Sequence, residues 1–155
     1  MINNMYKKSV IHYISKFIID VLFYMSIVCT LAVPFVAKTI FDWIGYRQAG
    51  TLPEFTVIVF LSGACCGYIL FNLKQMYHSL LIGNPFTSKN VNHFRKMSVA
   101  CIIVCAMYVI KCFFMFTFAT MVIAVVFAVG CLFCLTLKDL FKQAENYKTE
   151  NDLTI

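Results

Sequence analysis

The chain has 155 residues, of which 61% are hydrophobic and 13% charged, against roughly 45–50% and about 25% in ordinary soluble domains. A soluble domain of this length cannot hide that much apolar surface, so lipid is the expected solvent for much of it. The formal net charge of +6 is read as the bias of membrane-protein loops with some attraction to anionic headgroups, and no direct nucleic-acid binding is expected.

The length fits one compact domain, residues 1–155. The segment leading into the first helix is amphipathic: Ser9, His12, Lys16 and Asp20 recur at three- and four-residue spacing, with Val10, Ile11, Ile14, Phe17 and Ile18 covering the rest. The first crossing is expected at about 17–37. Its apolar run is too long for a signal-peptide core, and no small-x-small cleavage site follows it, so it reads as a permanent helix. Asp20 lies about one turn inside the apolar run and is a functional candidate by position alone. The competing reading is structural, since Lys16 at i−4 is placed to pair with it. Pro34 is expected to kink or end this helix. Residues 38–54 read as an outer loop, with Trp43 and Tyr46 at the depth of an aromatic belt.

The second crossing is expected at about 55–73, where Gly63 and Gly67 have the G-x-x-x-G spacing that permits close helix approach. Packing within a four-helix bundle is the leading use for this face, and homo-oligomer formation through it is the other. Asn72 is placed to hydrogen-bond across helices. Gly83, Asn84 and Pro85 break the second helix, and Thr87 or Ser88 can cap the next.

From residue 97 to 137 the chain carries a single charge, Lys111, and no proline. About 20 apolar helical residues cross a hydrocarbon core of about 30 Å, so this run holds two crossings, at about 94–111 and 117–137. Lys111 marks the tight turn between them. The fourth helix is expected to continue into a tail, 138–155, with Leu137, Leu140, Phe141, Ala144 and Tyr147 forming an apolar stripe on a charged helix. The basic residues decide orientation. Lys7, Lys8, Lys16, Lys74, Lys89, Arg95, Lys96, Lys138, Lys142 and Lys148 fall on one side, and Lys38, Arg47 and Lys111 on the other. By the positive-inside rule both termini and the middle loop are cytoplasmic. The fold expected is therefore an all-α membrane protein of four transmembrane helices, the last continuing into an amphipathic cytoplasmic tail.

Eight cysteines all fall in apolar stretches, which excludes the disulfide framework of a small secreted domain. Cys101 and Cys105 are one turn apart on the third helix, and Cys131 and Cys134 have C-x-x-C spacing on the fourth. On an antiparallel hairpin the four thiols could converge into the set that zinc prefers. Thiolates are costly in an apolar medium, and cysteine packs as a small hydrophobe, so no metal or cofactor is expected. His12, His78 and His93 sit at or near the inner surface without a paired nucleophile or carboxylate, and the chain has no phosphate-cradling glycine loop and no H-E-x-x-H.

The turn Gly83-x-Pro85-Phe86-Thr87, followed by Asn90 and Arg95, and the closing Asp152-Leu153-Thr154-Ile155 resemble the bacterial membrane family known as domain of unknown function 2975. The resemblance extends over the whole chain in length, helix layout and motif placement. Phe94 departs from it, since the family usually has leucine before the arginine. The resemblance implies a bacterial cytoplasmic membrane protein, and genes of this family are often neighbours of small helix-turn-helix regulators. It carries no catalytic role.

The resulting expectation is a non-enzymatic regulatory protein that binds a cytoplasmic partner, such as a helix-turn-helix transcription regulator. The partner would dock on Pro85, Phe86, Arg95 and Lys96 of the middle loop and on Leu140, Phe141 and Tyr147 of the tail. The alternative is a small transport, channel or toxin-immunity protein acting within the bilayer as an oligomer, with Asp20 as its working group.

Overall fold

The computed structural model describes residues 10–44, 52–82, 86–114 and 116–152. Among them are four α-helices: α1 (Val10–Ile44), α2 (Leu52–Ile82), α3 (Ser88–Phe114) and α4 (Phe118–Asp152). Each contains a stretch long and apolar enough to cross a membrane. In lipid every backbone N–H and C=O must be satisfied inside the segment, and a helix does that locally.

All four helices outrun the spans expected from hydropathy. α1 passes through Pro34 and ends ten residues later, at Ile44. The proline withholds a donor from the carbonyl of Thr30, and the helix tolerates that loss without ending. The expected outer loop is correspondingly shorter, because α1 takes residues 38–44 and α2 begins at Leu52; Tyr46, Arg47 and Gly50 lie outside the described residues. Pro53 falls in the first turn of α2, where its missing N–H removes no helical bond, and Glu54 beside it complements the helix dipole.

Threonines start the last two helices. The Thr87 carbonyl accepts from the amides of Asn90 at 2.9 Å and Val91 at 3.2 Å, and the Thr117 carbonyl accepts from Thr120 at 2.9 Å and Met121 at 3.2 Å. Thr120 Oγ1 also donates to Thr117 O at 2.6 Å, bracing the start of α4.

The helices form an open row, which corrects the bundle expected from sequence. Among the described residues α1 packs on α2, α2 on α3 and α3 on α4, with no close approach of α1 to α3 or α4. The reason lies in the two faces of α2. Ile58, Ser62, Cys65, Ile69, Asn72 and Met76 repeat at helical spacing and face α3 and α4. Gly63, Gly67 and Lys74 lie on the opposite face and meet α1. A Cβ on Gly63 would stand 2.6 Å from Thr30 Oγ1, and one on Gly67 would stand 3.6 Å from Ser26 Oγ. The two hydroxyls are satisfied within α1, Ser26 by Phe23 O at 2.8 Å and Thr30 by Ser26 O at 2.7 Å. The close-approach face is thus taken by α1, and a homodimer through it would have to displace that helix.

Two core clusters fill the α2–α3–α4 side. One joins Met76, Phe94, Met97 and Cys134; the other joins Val104, Tyr108 and Ala124. A third of the α3 span is buried, against 6% of the α1 span, so α3 is the centre of the row and α1 its outlying member.

Gly63→Ala is expected to destabilise the protein by about 1–3 kcal/mol through overpacking against Thr30. Thr30→Ala removes both nearest atoms, so the double variant should recover most of the loss. Reversible unfolding in mixed micelles measures the cycle, and a loss that Thr30→Ala leaves unchanged would refute the close approach.

Candidate functional site

The chemistry-bearing residues gather at the end of the molecule where α1 and α3 begin and α2 and α4 finish. Asp20 does not pair with Lys16. Its Oδ1 lies 3.0 Å from Lys74 Nζ of α2, and both side chains are largely covered. The ammonium also lies 5.3 Å from the Phe23 ring centroid and 4.9 Å from that of Tyr24. The tertiary pair wins over the local one because Lys74 continues the Gly63 and Gly67 face, at spacings of four and seven, and is carried against α1 by the same close approach. That face was the available signal for Lys74.

A second polar contact ties α2 to α3. Asn72 is 2% exposed. Its Nδ2 donates to Tyr68 O at 2.8 Å, and its Oδ1 lies 2.8 Å from His93 Nδ1. Since Oδ1 only accepts, the His93 proton sits on Nδ1. The cross-helix role expected of Asn72 is met, with His93 as its partner. Nearer the opposite end, Ser62 Oγ and Tyr108 OH lie 3.3 Å apart in the α2–α3 interface. Lys111 lies 5.0 Å from the Phe55 ring centroid and 5.9 Å from that of Tyr108.

The two expected docking elements touch one another. Phe86 and Phe141 have ring centroids 5.3 Å apart, and Phe94 meets Phe141 edge-on at 4.9 Å. The phenylalanine that departs from the family pattern is therefore part of this aromatic contact. Ser88 Oγ donates to Glu145 Oε1, joining the first turn of α3 to the end of α4, a contact that sequence spacing did not reveal. Phe141 is half-buried, so it serves packing, while Leu140 and Tyr147 on the same helix are exposed. Arg95 and Lys96 are exposed as well. Pro85 lies outside the described residues, as do Leu153, Thr154 and Ile155 of the closing motif. Of the remaining motif positions, Thr87 starts α3, and Asn90 is buried.

Cys101, Cys131 and Cys134 are buried between α3 and α4, with Cys105 half-buried. A Cβ on Gly130 would stand 3.8 Å from Cys101 Sγ, so α4 passes close to that thiol. Among the described residues no group of three or more His, Cys, Asp or Glu side chains is placed to hold a metal ion. The thiols act here as small packing groups.

Four apolar helices in series, with polar side chains collected at their interfaces and at one end, define a multi-pass membrane protein. The chain belongs to the family described as protein of unknown function DUF2975, whose sequence profile matches residues 8–155. No curated protein and no solved structure matches it.

Removing one member of the inter-helix ion pair leaves a charge in a largely covered site. Lys74→Met should therefore lower stability in micelle unfolding, and Asp20→Leu added to it should restore it. Lys16→Met is expected to change stability by less than about 0.5 kcal/mol. Equal losses for Lys16 and Lys74 would return Asp20 to its local partner.

Proposed function

We propose that this protein is a non-enzymatic regulator of the bacterial cytoplasmic membrane that holds a soluble partner, such as a small helix-turn-helix transcription regulator, at its cytoplasmic face. The observation that carries this reading is the joining of the α2–α3 turn to the end of α4, through Phe86, Phe94 and Phe141 and through Ser88 and Glu145. The two docking elements read from sequence are one surface. It presents the exposed cations Lys89, Arg95, Lys96, Lys142 and Lys148 with the exposed apolar side chains of Leu140 and Tyr147. Residues 138–152 continue α4 without a break, about 22 Å of helix beyond the apolar span.

Among the described residues Lys16, Lys74, Lys89, Arg95, Lys96, Lys138, Lys142 and Lys148 lie at this end, which supports a cytoplasmic placement for it and for both termini. The family's gene neighbourhood supports a DNA-binding protein as the partner, and the protein itself binds no nucleic acid in this reading. The bilayer-acting alternative takes Asp20 as its working group, and that carboxylate is engaged by Lys74.

Deleting residues 138–155 should release a co-expressed regulator from membranes to the soluble fraction. The deletion also removes the Phe141 packing, so a milder variant is needed beside it. Leu140→Glu with Tyr147→Glu alters only exposed positions and should release the regulator while leaving the protein folded and membrane-inserted. Undiminished membrane retention in both variants would refute the proposal.

A further inference from the structure

Between the first turn of α3 and the last turns of α4 lies an open cleft of about 500 Å³, lined by Phe86, Thr87, Ser88, Lys89, Glu145, Lys148 and Thr149. Building on the partner-binding reading above, we propose that this cleft is the docking point for an acidic segment of the soluble partner.

The lining decides the chemistry. Glu145 accepts a hydrogen bond from Ser88 Oγ, which ties the end of α4 to the first turn of α3 and leaves one carboxylate among the lining groups, against two lysines. Lys89 and Lys148 stand on two different helices with exposed side chains, and Thr87 and Thr149 complete the lining, the Thr149 hydroxyl donating to Glu145 O at 3.0 Å. Phe86, itself exposed, supplies an apolar edge. Two ammonium groups flanking a cleft of this size suit a few residues of peptide whose carboxylates meet the lysines while an aliphatic side chain rests on Phe86.

Depth separates a protein partner from a lipid headgroup. Ser88 precedes Arg95 by seven residues, about 10 Å of helix, and Lys148 follows Leu137 by eleven, about 16 Å. The headgroup layer adds only about 5–7 Å on each side of the hydrocarbon. The cleft therefore opens past the headgroups, into water, where soluble carboxylates reach it more readily than lipid phosphates. Exposed pairs of this kind are individually weak, so binding should be modest and strongly salt-dependent.

The test uses the full chain in nanodiscs of phosphatidylcholine and, as probe, a short fluorescein-labelled peptide of glutamates around one leucine, with the glutamine analogue as control. The glutamate peptide should raise fluorescence anisotropy and the glutamine peptide should not. Lys89→Glu with Lys148→Glu should weaken binding by roughly tenfold or more, because like charges then face the probe. Lys89→Gln with Lys148→Gln should weaken it less. Arg95→Glu with Lys96→Glu, outside the cleft, should leave it within about twofold if the site is local. Equal binding of both peptides, or equal loss from the Arg95 and Lys96 variant, would overturn the proposal. So would protection of Lys89 and Lys148 from amine acylation by phosphatidylglycerol in the nanodisc and not by peptide, which would assign the cleft to lipid. If the cleft variants lose the peptide but retain a co-expressed regulator, the partner docks elsewhere: the cleft assignment falls and the regulatory reading stands.

Discussion

Lipid gives two apolar helices no hydrophobic reward for leaving it, because the acyl chains are as apolar as leucine. Association inside the bilayer must come from close packing and from polar groups that gain partners, and this protein meets that constraint at every interface. The α1–α2 contact has the Gly63–Thr30 approach and the Asp20–Lys74 pair. The α2–α3 contact has Asn72 with His93 and Ser62 with Tyr108. The α3–α4 contact has Cys112 Sγ 3.3 Å from Thr120 Oγ1 at one end, and beyond the apolar span Ser88 with Glu145 at the other. Buried apolar groups fill space between these points, and the polar pairs fix which helix faces which.

The open row follows from where those groups sit on α2. With the glycines and Lys74 on one face and Ser62 and Asn72 on the other, a helix satisfied by the first cannot also reach the second. α1 therefore stays on the far side of α2 from α3, and its other faces remain with the lipid. Closing the four helices into a bundle would need a polar or small-residue face on α1 directed at α3 or α4. Its exposed side chains at that depth are instead large and apolar, including Val21, Leu22, Met25, Val28 and Leu31.

Hydropathy located four helices in the right order because the solvent at each position dominates the choice of residue. Hydropathy alone marks where the lipid stops and not where a helix stops: residues 38–44 leave the apolar run without leaving the helix, while the helical continuation through 138–152 was legible from its apolar stripe. Capping was legible at Thr87 because the signal is local. The partner of Asp20 was not, since a chain read alone offers only sequence neighbours, and Lys16 was the nearest cation one turn away. Lys74 becomes its partner only once the glycines are recognised as a face shared with another helix. Ser88 and Glu145, fifty-seven residues apart, had no local signal at all.

The aromatic contact at the end of α4 bears on the function proposed above. Phe94 belongs to the same core cluster as Met76, Met97 and Cys134, and Phe141 packs on that cluster while also touching Phe86 of the turn. The polar end is therefore continuous with the membrane core and is not a tether hanging from it. A shift of α4 against α3 within the bilayer would have to be absorbed by Phe141, the residue that joins the tail to the turn, because close-packed side chains pass on displacement rather than damp it. Two elements that a soluble partner must meet together would then separate or close with the state of the helices. A regulator held on such a surface would be released by a change in packing within the bilayer, with no need for a catalytic step.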